Sequence, residues 1–357
     1  MGMTAKAAEK EAARFLIIGL DEDGKGEIGP SIALLDEVNP LGSILFARNM
    51  PDRESLTALT SAVAKRDPDG IIAIDHEGGR VDRLPEPFTH FPPALQMARC
   101  ADPGVLREVG RAQAAELRAA GFNVNFAPVL DIHTNPENPI IGDRAFGTTP
   151  EEVIHNALPY MQGLTEGGII GCGKHFPGHG DTNCDSHLEL PYLDCPAERL
   201  QTLEMRPFAR AITAGVPMLM TAHVVYRGLD PERPASLSPT IIQDCLRDRL
   251  GFRGVVVSDD LEMQAITDNG SVGDAAVEAV RAGSDVILVC RRADRVREAH
   301  EGLSRAIESG RIGHAALADA ERRRVRLLKR IARASSGSPD PEAIGALTHR
   351  QLSSRLD

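Results

Sequence analysis

Titratable side chains are concentrated in the segment at 174–191, which reads KHFPGHGDTNCDSHLELP. Its glycines and Pro177 oppose a helix or a central strand, because glycine costs conformational order and proline lacks an N–H donor. The segment is therefore predicted to be a loop, and loops on a rigid scaffold often carry function. Its imidazoles and carboxylates could exchange protons with a substrate or bind a metal ion. The chemistry-bearing residues are Lys174, His175, His179, Asp181, Asp185 and His187.

Eight short runs of apolar and β-branched residues predict eight strands. Most are continuously apolar, as expected for strands that are buried on both faces of a parallel sheet. Helical patterns at 104–120, 151–166, 196–214 and 271–282 alternate with them, which predicts a single-domain (β/α)8 TIM-type barrel. The eight runs lie at 14–19, 42–46, 71–75, 122–128, 169–175, 217–223, 254–259 and 284–289.

Ionisable residues stand at the ends of several predicted strands. In a (β/α)8 barrel the catalytic residues lie at the C-terminal ends of the strands and in the loops that follow. An open doubly wound sheet is the alternative fold, but the residues after the first strand contain no GxGxxG that opens a helix. The barrel therefore predicts an active site at one rim. The strand-end residues are Asp75, Lys174, His175, His223, Asp259 and Asp260.

The bulk composition is that of a globular protein, with 357 residues, 42% hydrophobic and 25% charged. A net charge of −11 argues against nucleic acid or an anionic membrane as a partner. Six cysteines without a CxxC pair predict reduced thiols and a cytoplasmic location. The expected organisation is a catalytic domain at 1–335 and a polar tail at 336–357, with a basic surface helix at 321–333.

Four motifs resemble the signatures of family 3 glycoside hydrolases. They are closest to the single-domain β-N-acetylglucosaminidases of bacterial cell-wall recycling, and they follow the family's order between about residue 14 and about residue 335. One difference is His76, where the family usually has glutamine. The motifs are DHEGGRVDR at 75–83, NPIIGDRAFG at 138–147, KHFPGHGDTNCDSHLELP at 174–191 and SDDLEM at 258–263.

The resemblance implies a role for eight residues. Asp259 would be the nucleophile, and His187 would be the acid/base, supported by Asp185. Five further residues would hold the N-acetylglucosamine unit of a small saccharide, and the family needs no metal or other cofactor. The sugar-holding residues would be Asp75, Arg83, Arg144, Lys174 and His175.

These roles agree with elementary chemistry. A retaining glycosidase needs a nucleophile and a group that protonates the leaving oxygen. The Asp259 carboxyl, with an ordinary pKa of about 3.9, is ionised at neutral pH. The His187 imidazole, with an ordinary pKa of about 6.5, can give and take a proton, and Asp185 can accept from its ring. The absence of tryptophan favours a small soluble saccharide over a polymer held on aromatic faces.

Three other functions stay open at this point. A phosphorylase of the same family would use phosphate in place of water. A metal-dependent barrel hydrolase would use the histidine-rich loop as its ligand set. A non-catalytic sugar-binding protein would not need both Asp259 and the His187–Asp185 pair.

Overall fold

Eight parallel strands close into a barrel in the computed structural model, which describes residues 3–20, 28–182 and 190–356. The strands are β1 (Leu16–Gly19), β2 (Gly42–Leu45), β3 (Ile71–Ile74), β4 (Val124–Asn125), β5 (Ile170–Phe176), β6 (Tyr192–Leu193), β7 (Met218–Thr221), β8 (Val225–Tyr226), β9 (Val255–Asp260) and β10 (Val286–Val289). The short strands β6 and β8 pair with each other, outside the barrel. The other eight pair in chain order, and β10 closes on β1. All eight predicted strands and the (β/α)8 architecture are confirmed.

Helices surround the barrel. They are α1 (Ala5–Ala13), α2 (Ile28–Val38), α3 (Arg53–Arg66), α4 (Ala94–Cys100), α5 (Pro103–Ala119), α6 (Pro150–Glu166), α7 (Ala197–Thr202), α8 (Arg206–Thr213), α9 (Gln264–Thr267), α10 (Val272–Ala282), α11 (Ala293–Glu308), α12 (His314–Ala334) and α13 (Leu347–Ser354). A π-type helical segment covers Thr240–Arg249, and 3₁₀ turns cover Ala47–Asn49, Gly142–Arg144, Ala235–Leu237 and Pro341–Ala343. Within the described ranges, no helix has the length and apolar character that a membrane crossing needs.

The helix predicted over 196–214 is divided into α7 and α8. Residues 203–205 separate the two, and Pro207 lies in the first turn of α8. Proline suits the first turn of a helix, where its missing N–H has no partner to lose, and it disrupts a helix interior. The single-helix prediction was wrong because the apolar pattern continues across this break.

Alternate residues of each strand enter different apolar clusters. Ile17 of β1, for example, packs inside the barrel with Ile44 and Val124, whereas Leu16 and Ile18 pack outward against the helices. Both faces of a strand are therefore buried. This explains why the strands appear in the sequence as continuous apolar runs.

The basic run at 321–333 lies in α12, which is more buried than the sequence predicts. Leu327 and Ile331 join the apolar cluster inside the barrel, and Arg324 is 3% exposed. Val325, on the same helix, is 41% exposed. The arginines of α12 are thus not all solvated, because one of them has buried partners.

Those partners include Asp285, a fully buried carboxylate at the start of β10. Its Oδ2 lies 2.6 Å from Nη2 of Arg247 and accepts a bond from the Val256 amide at 2.9 Å. Its Oδ1 accepts from Nε of Arg323 at 2.8 Å, and its carbonyl accepts from Arg324. This cluster joins α12 to the starting ends of β9 and β10.

Replacing Asp285 by alanine is predicted to lower the free energy of unfolding by about 3–5 kcal/mol, because Arg247 would stay buried without its partner. Urea unfolding followed by circular dichroism measures this loss. Glu37→Ala is the control, because Glu37 and its partner Arg297 are both 47% exposed and exposed pairs contribute only about 0–1 kcal/mol. Equal losses in the two variants would contradict a structural role for the buried cluster.

Candidate active site

A cavity of about 390 Å³ opens where the barrel strands end. Ile44, Met220 and Leu288 form part of its apolar wall, and charged residues from strand ends and loops form the rest. Six of the eight predicted site residues line it: Asp75, Arg83, Arg144, Lys174, His175 and Asp259. The other two, Asp185 and His187, lie outside the described residues. The structure thus brings together every predicted site residue that it describes.

Glu77 is a buried carboxylate that joins two cations in the wall of this cavity. Its Oε1 lies 2.6 Å from Nζ of Lys174 and 2.8 Å from Nη2 of Arg144, and its Oε2 accepts from Nε of Arg144 at 2.8 Å. Nζ of Lys174 also donates to Oδ1 of Asp75 at 2.6 Å. Glu77 lies within the motif at 75–83 but is not among the predicted site residues.

At this cluster, charge pairing affects the pKa values of Glu77 and Lys174 more strongly than burial does. Burial alone would raise the pKa of Glu77, but Arg144 and Lys174 hold that pKa well below its ordinary value. Burial would likewise lower the pKa of Lys174, and Asp75 and Glu77 raise it instead. Glu77 and Lys174 are therefore both charged at neutral pH.

A tight turn at 75–83 presents Asp75, Glu77 and Arg83 to the cavity. Gly78 and Gly79 adopt φ of +96° and +54°, a conformation that other residues rarely adopt. The amide of Glu77 donates to the Val81 carbonyl at 2.9 Å, which closes the turn. Glycines at these two positions therefore let the polar side chains on both sides of the turn reach the same space.

The side chains of Arg80 and Arg83, both on this turn, make different contacts. Arg80 donates to the carbonyls of Pro139 and Ile140, which fastens the turn to the loop that contains Arg144. Arg83 lines the cavity, and among the described residues its buried Nε has no hydrogen-bond partner. Arg83 therefore adds a positive charge to the cavity wall and carries beneath the surface one donor that is unpaired in the described part of the chain.

Asp131 fixes the orientation of His175. This fully buried carboxylate accepts from Nδ1 of His175 at 2.7 Å and from the backbone amides of His175 at 3.1 Å and His179 at 2.7 Å. Nδ1 of His179 bonds to Oγ1 of Thr182 at 2.9 Å. Burial, with His175 nearby, lowers the pKa of His179 to about 4, so its ring is neutral at pH 7. Sequence reasoning missed Asp131, whose signal was a carboxylate shortly after the fourth predicted strand.

The pKa values of the neighbouring carboxyls of Asp259 and Asp260 are shifted in opposite directions. Burial favours the neutral form of both, but His175 and His223 hold the pKa of Asp259 below its ordinary value. The pKa of Asp260 is raised to about 7, chiefly by burial and further by Glu262 and Asp259. Asp259 therefore favours its charged form at neutral pH, whereas Asp260 keeps its proton to a much higher pH than an ordinary aspartate.

Backbone amides hold both carboxyls in place. Oδ1 of Asp259 accepts from the Asp260 amide at 2.8 Å. Oδ1 of Asp260 accepts from the amides of Glu262 and Cys290, each at 3.1 Å. One oxygen of each carboxyl is thus held by backbone amides. The amide that binds Asp259 is at the end of β9, and those that bind Asp260 are just after β9 and just after β10.

Two histidines near the rim support the backbone. Nε2 of His223 lies 3.0 Å from the Asp260 carbonyl, which only accepts, so Nε2 carries the proton and Nδ1 accepts from Ser236 at 2.7 Å. The backbone of His76 exchanges two bonds with the side chain of Asn125, at 3.0 and 2.8 Å. Because the backbone makes these bonds, histidine in place of the family's glutamine leaves them intact.

In the described part of the segment at 174–191, several polar side chains already bond to other groups of the protein. Asp181 lies 2.6 Å from Nη2 of Arg199, and one ring nitrogen of His175 and one of His179 are bonded as described above. Among the described residues, no three His, Cys, Asp or Glu side chains are grouped as a metal ion requires.

Comparison with known proteins identifies the family. The sequence model described as "Glycosyl hydrolase family 3 N terminal domain" matches residues 34–327. The chain belongs to glycoside hydrolase family 3. This family 3 enzyme is a glycoside hydrolase, as the sequence motifs predicted.

Relatives of this family 3 enzyme carry closely similar sequences and folds. A β-hexosaminidase of Nitrosomonas eutropha is 39% identical over 283 residues, which cover 76% of this chain and 81% of the relative. A family 3 β-N-acetylglucosaminidase of Paenibacillus sp. FPU-7 superposes with a TM-score of 0.89 at 36% identity, covering 98% of this chain and 68% of the other. NagZ of Neisseria gonorrhoeae, solved with N-trifluoroacetyl-D-glucosamine, gives 0.74 at 32% identity, with coverages of 89% and 98%.

Asp260→Asn is predicted to change how stability depends on pH. The pKa of Asp260 is about 7 in the folded protein and 3.8 ordinarily, so between these values the unfolded chain releases a proton that the folded protein keeps. Wild-type stability therefore falls relative to the variant as pH rises from 4 to 7, by about 3 kcal/mol. Asparagine keeps the oxygen that accepts from Glu262 and Cys290. Urea unfolding of both proteins at several pH values measures the difference, and a constant difference would contradict the raised pKa.

Proposed function

We propose that this family 3 enzyme is a retaining, exo-acting β-N-acetylglucosaminidase. It removes terminal, non-reducing β-linked N-acetylglucosamine from small soluble saccharides, with peptidoglycan fragments as the expected natural substrates. The observation that carries the proposal is a backbone-anchored Asp259 in the same cavity as Asp75, Lys174 and His175. The nearby His175 and His223 hold the pKa of this carboxyl below its ordinary value. The binding of an N-acylated glucosamine by the related NagZ supports the choice of sugar.

Asp259 acts as the nucleophile in the first step. One oxygen is held by the Asp260 amide at the end of β9, and the other attacks the anomeric carbon as the bond to the leaving oxygen breaks. The rigid strand end holds the carboxylate in position, as covalent catalysis requires. The product of this step is a glycosyl ester on Asp259 and a free leaving group.

His187, with Asp185 as its support, moves the proton in both steps of this proposal. Protonated imidazole first gives its proton to the leaving oxygen. Neutral imidazole then takes a proton from water, which attacks the glycosyl ester and releases the sugar with Asp259 restored. In this proposal, the negative charge of Asp185 favours the protonated form of the ring.

The charged wall of the cavity binds the sugar. The Asp75 carboxylate can accept from two hydroxyls, and Lys174 holds it in place through the 2.6 Å bond. Arg83 has a side-chain Nε without a partner among the described residues. His175 has a second ring nitrogen, Nε2, besides the Nδ1 that is bonded to Asp131. Arg144, which is bound to Glu77, adds positive charge at the wall and fixes the position of Glu77. Hydrogen bonds to charged groups contribute about 1.5–3 kcal/mol each.

We also propose that the protein is located in the cytoplasm. The five described cysteines are free thiols, as expected in a reducing compartment. Cell fractionation with an antibody against the protein tests this part.

Asp259→Ala is predicted to lower kcat by at least about 10³-fold without unfolding the protein, because it removes the nucleophile. Release of p-nitrophenol from its β-N-acetylglucosaminide, in EDTA and without phosphate, measures the loss, and circular dichroism checks the fold. Wild-type activity that appears only with phosphate would indicate a phosphorylase. Activity that EDTA abolishes and zinc restores would indicate a metal-dependent hydrolase.

His187→Ala is predicted to slow hydrolysis of a substrate with a poor leaving group by about 10²–10⁴-fold. The p-nitrophenyl substrate should be affected less in its first step, because its leaving group needs little protonation. Comparison of kcat/KM for the two substrates measures this contrast, and His155→Ala is the control because His155 is exposed on α6. Equal losses for both substrates would show that His187 is not the acid.

A further inference from the structure

The turn at 75–83 rests directly on a second segment, residues 86–93, which we call the bridging segment. The Gly79 amide donates to the Phe91 carbonyl at 2.8 Å. A Cβ added to Gly78 would lie 2.9 Å from the Pro92 carbonyl oxygen, and one added to Gly79 would lie 2.7 Å from Cγ of Pro93. The two segments are therefore in contact with no room for a larger residue between them.

The bridging segment also contacts the C-terminal segment, residues 340–356, which includes α13. The hydroxyl of Ser353 donates to the His90 carbonyl at 2.6 Å. A Cβ added to Gly345 would lie 2.1 Å from the Pro87 carbonyl oxygen. The C-terminal segment thus packs as tightly on the bridging segment as the turn does.

Glu116 of α5 bonds to both the bridging segment and the C-terminal segment. This carboxylate, 3% exposed, accepts from the Thr89 amide at 2.9 Å and bonds to Nδ1 of His349 in α13 at 2.8 Å. One buried side chain therefore contacts both the bridging segment and the C-terminal segment.

Side chains continue the contact from the bridging segment into the turn. Nδ1 of His90 lies 2.9 Å from Oδ2 of Asp82, and Oδ1 of Asp82 lies 3.4 Å from Nδ1 of His76. His76 stands between Asp75 and Glu77, and Asp82 directly precedes Arg83. Hydrogen bonds thus lead from α13 through the bridging segment to Asp82, which directly precedes Arg83 in the turn.

We propose that the C-terminal segment is a positioning element for substrate binding, which holds the turn at 75–83 where Asp75 and Arg83 can reach the sugar. The family's sequence model ends at residue 327, so this segment lies beyond the matched domain. The inference rests on the proposed function, in which Asp75 and Arg83 hold N-acetylglucosamine. The C-terminal segment acts in substrate binding and not in the chemical steps.

Ser353→Ala tests the inference, with Ser354→Ala as its matched control. Ser353 is buried against His90, whereas Ser354 is the next residue of the same helix and is exposed. Loss of the Ser353 bond is predicted to raise KM for the p-nitrophenyl substrate about fivefold, with kcat changed less than twofold. The control should match the wild type in both constants.

Hydrogen exchange gives a readout that does not depend on activity. In Ser353→Ala, amide exchange of peptides covering 75–83 should rise about fivefold, while exchange at β9, which contains Asp259, should stay unchanged. A chain that stops after Pro339 should show both effects more strongly, and Ser353→Ala decides the matter if that chain does not fold.

The outcomes separate this inference from the proposed function. Unchanged exchange at 75–83, or an unchanged KM with normal hydrolysis, would overturn the inference and leave the glycosidase proposal standing. Equal falls in kcat and kcat/KM would also overturn it, because binding would then be intact. If the wild type releases no p-nitrophenol, the proposed function is wrong, and exchange alone decides whether the C-terminal segment holds the turn.

Discussion

The site depends on the pairing of one buried carboxylate with two cations. Glu77 follows β3, Lys174 lies in β5, and Arg144 lies in the loop between β4 and α6. Removing one member would leave a buried charge without its partner, which is far more costly than losing an exposed pair. In the folded protein, the end of β3, the end of β5 and the loop between β4 and α6 are therefore fixed relative to one another. Asp75 reaches the cavity in a defined position because the same Lys174 binds it.

Much of this architecture could be predicted from the sequence, because burial on both faces makes each barrel strand a continuous apolar run. The chain order of the strands then places Asp75, Lys174 and Asp259 at one rim. Glu77 and Asp131 could not be found in this way. Their partners lie 67 and 44 residues away along the chain, and no local spacing reveals such a pair. The break between α7 and α8 was missed for a related reason, since apolar periodicity does not show where proline must begin a new helix.

The two adjacent aspartates show what environment adds to sequence. In the sequence they are alike, and only the resemblance to family 3 distinguished them. In the structure, His175 and His223 favour the charged form of Asp259, while burial and the acidic neighbour Glu262 favour the neutral form of Asp260. Two carboxyls one residue apart can therefore hold different protonation states at the same pH. This difference supports Asp259 as the nucleophile by an argument that is independent of the resemblance.

Strands β9 and β10 are joined by side chains at both ends. Asp285 binds the Val256 amide where the strands begin, and Asp260 binds the Cys290 amide where they finish. The first junction belongs to the ion-pair cluster with α12, and the second belongs to the cavity wall. Separate groups thus hold the two ends of the same pair of strands. In evolutionary terms, rim positions outside the Glu77–Lys174–Arg144 cluster can change while the Asp285 cluster preserves the barrel at its other end.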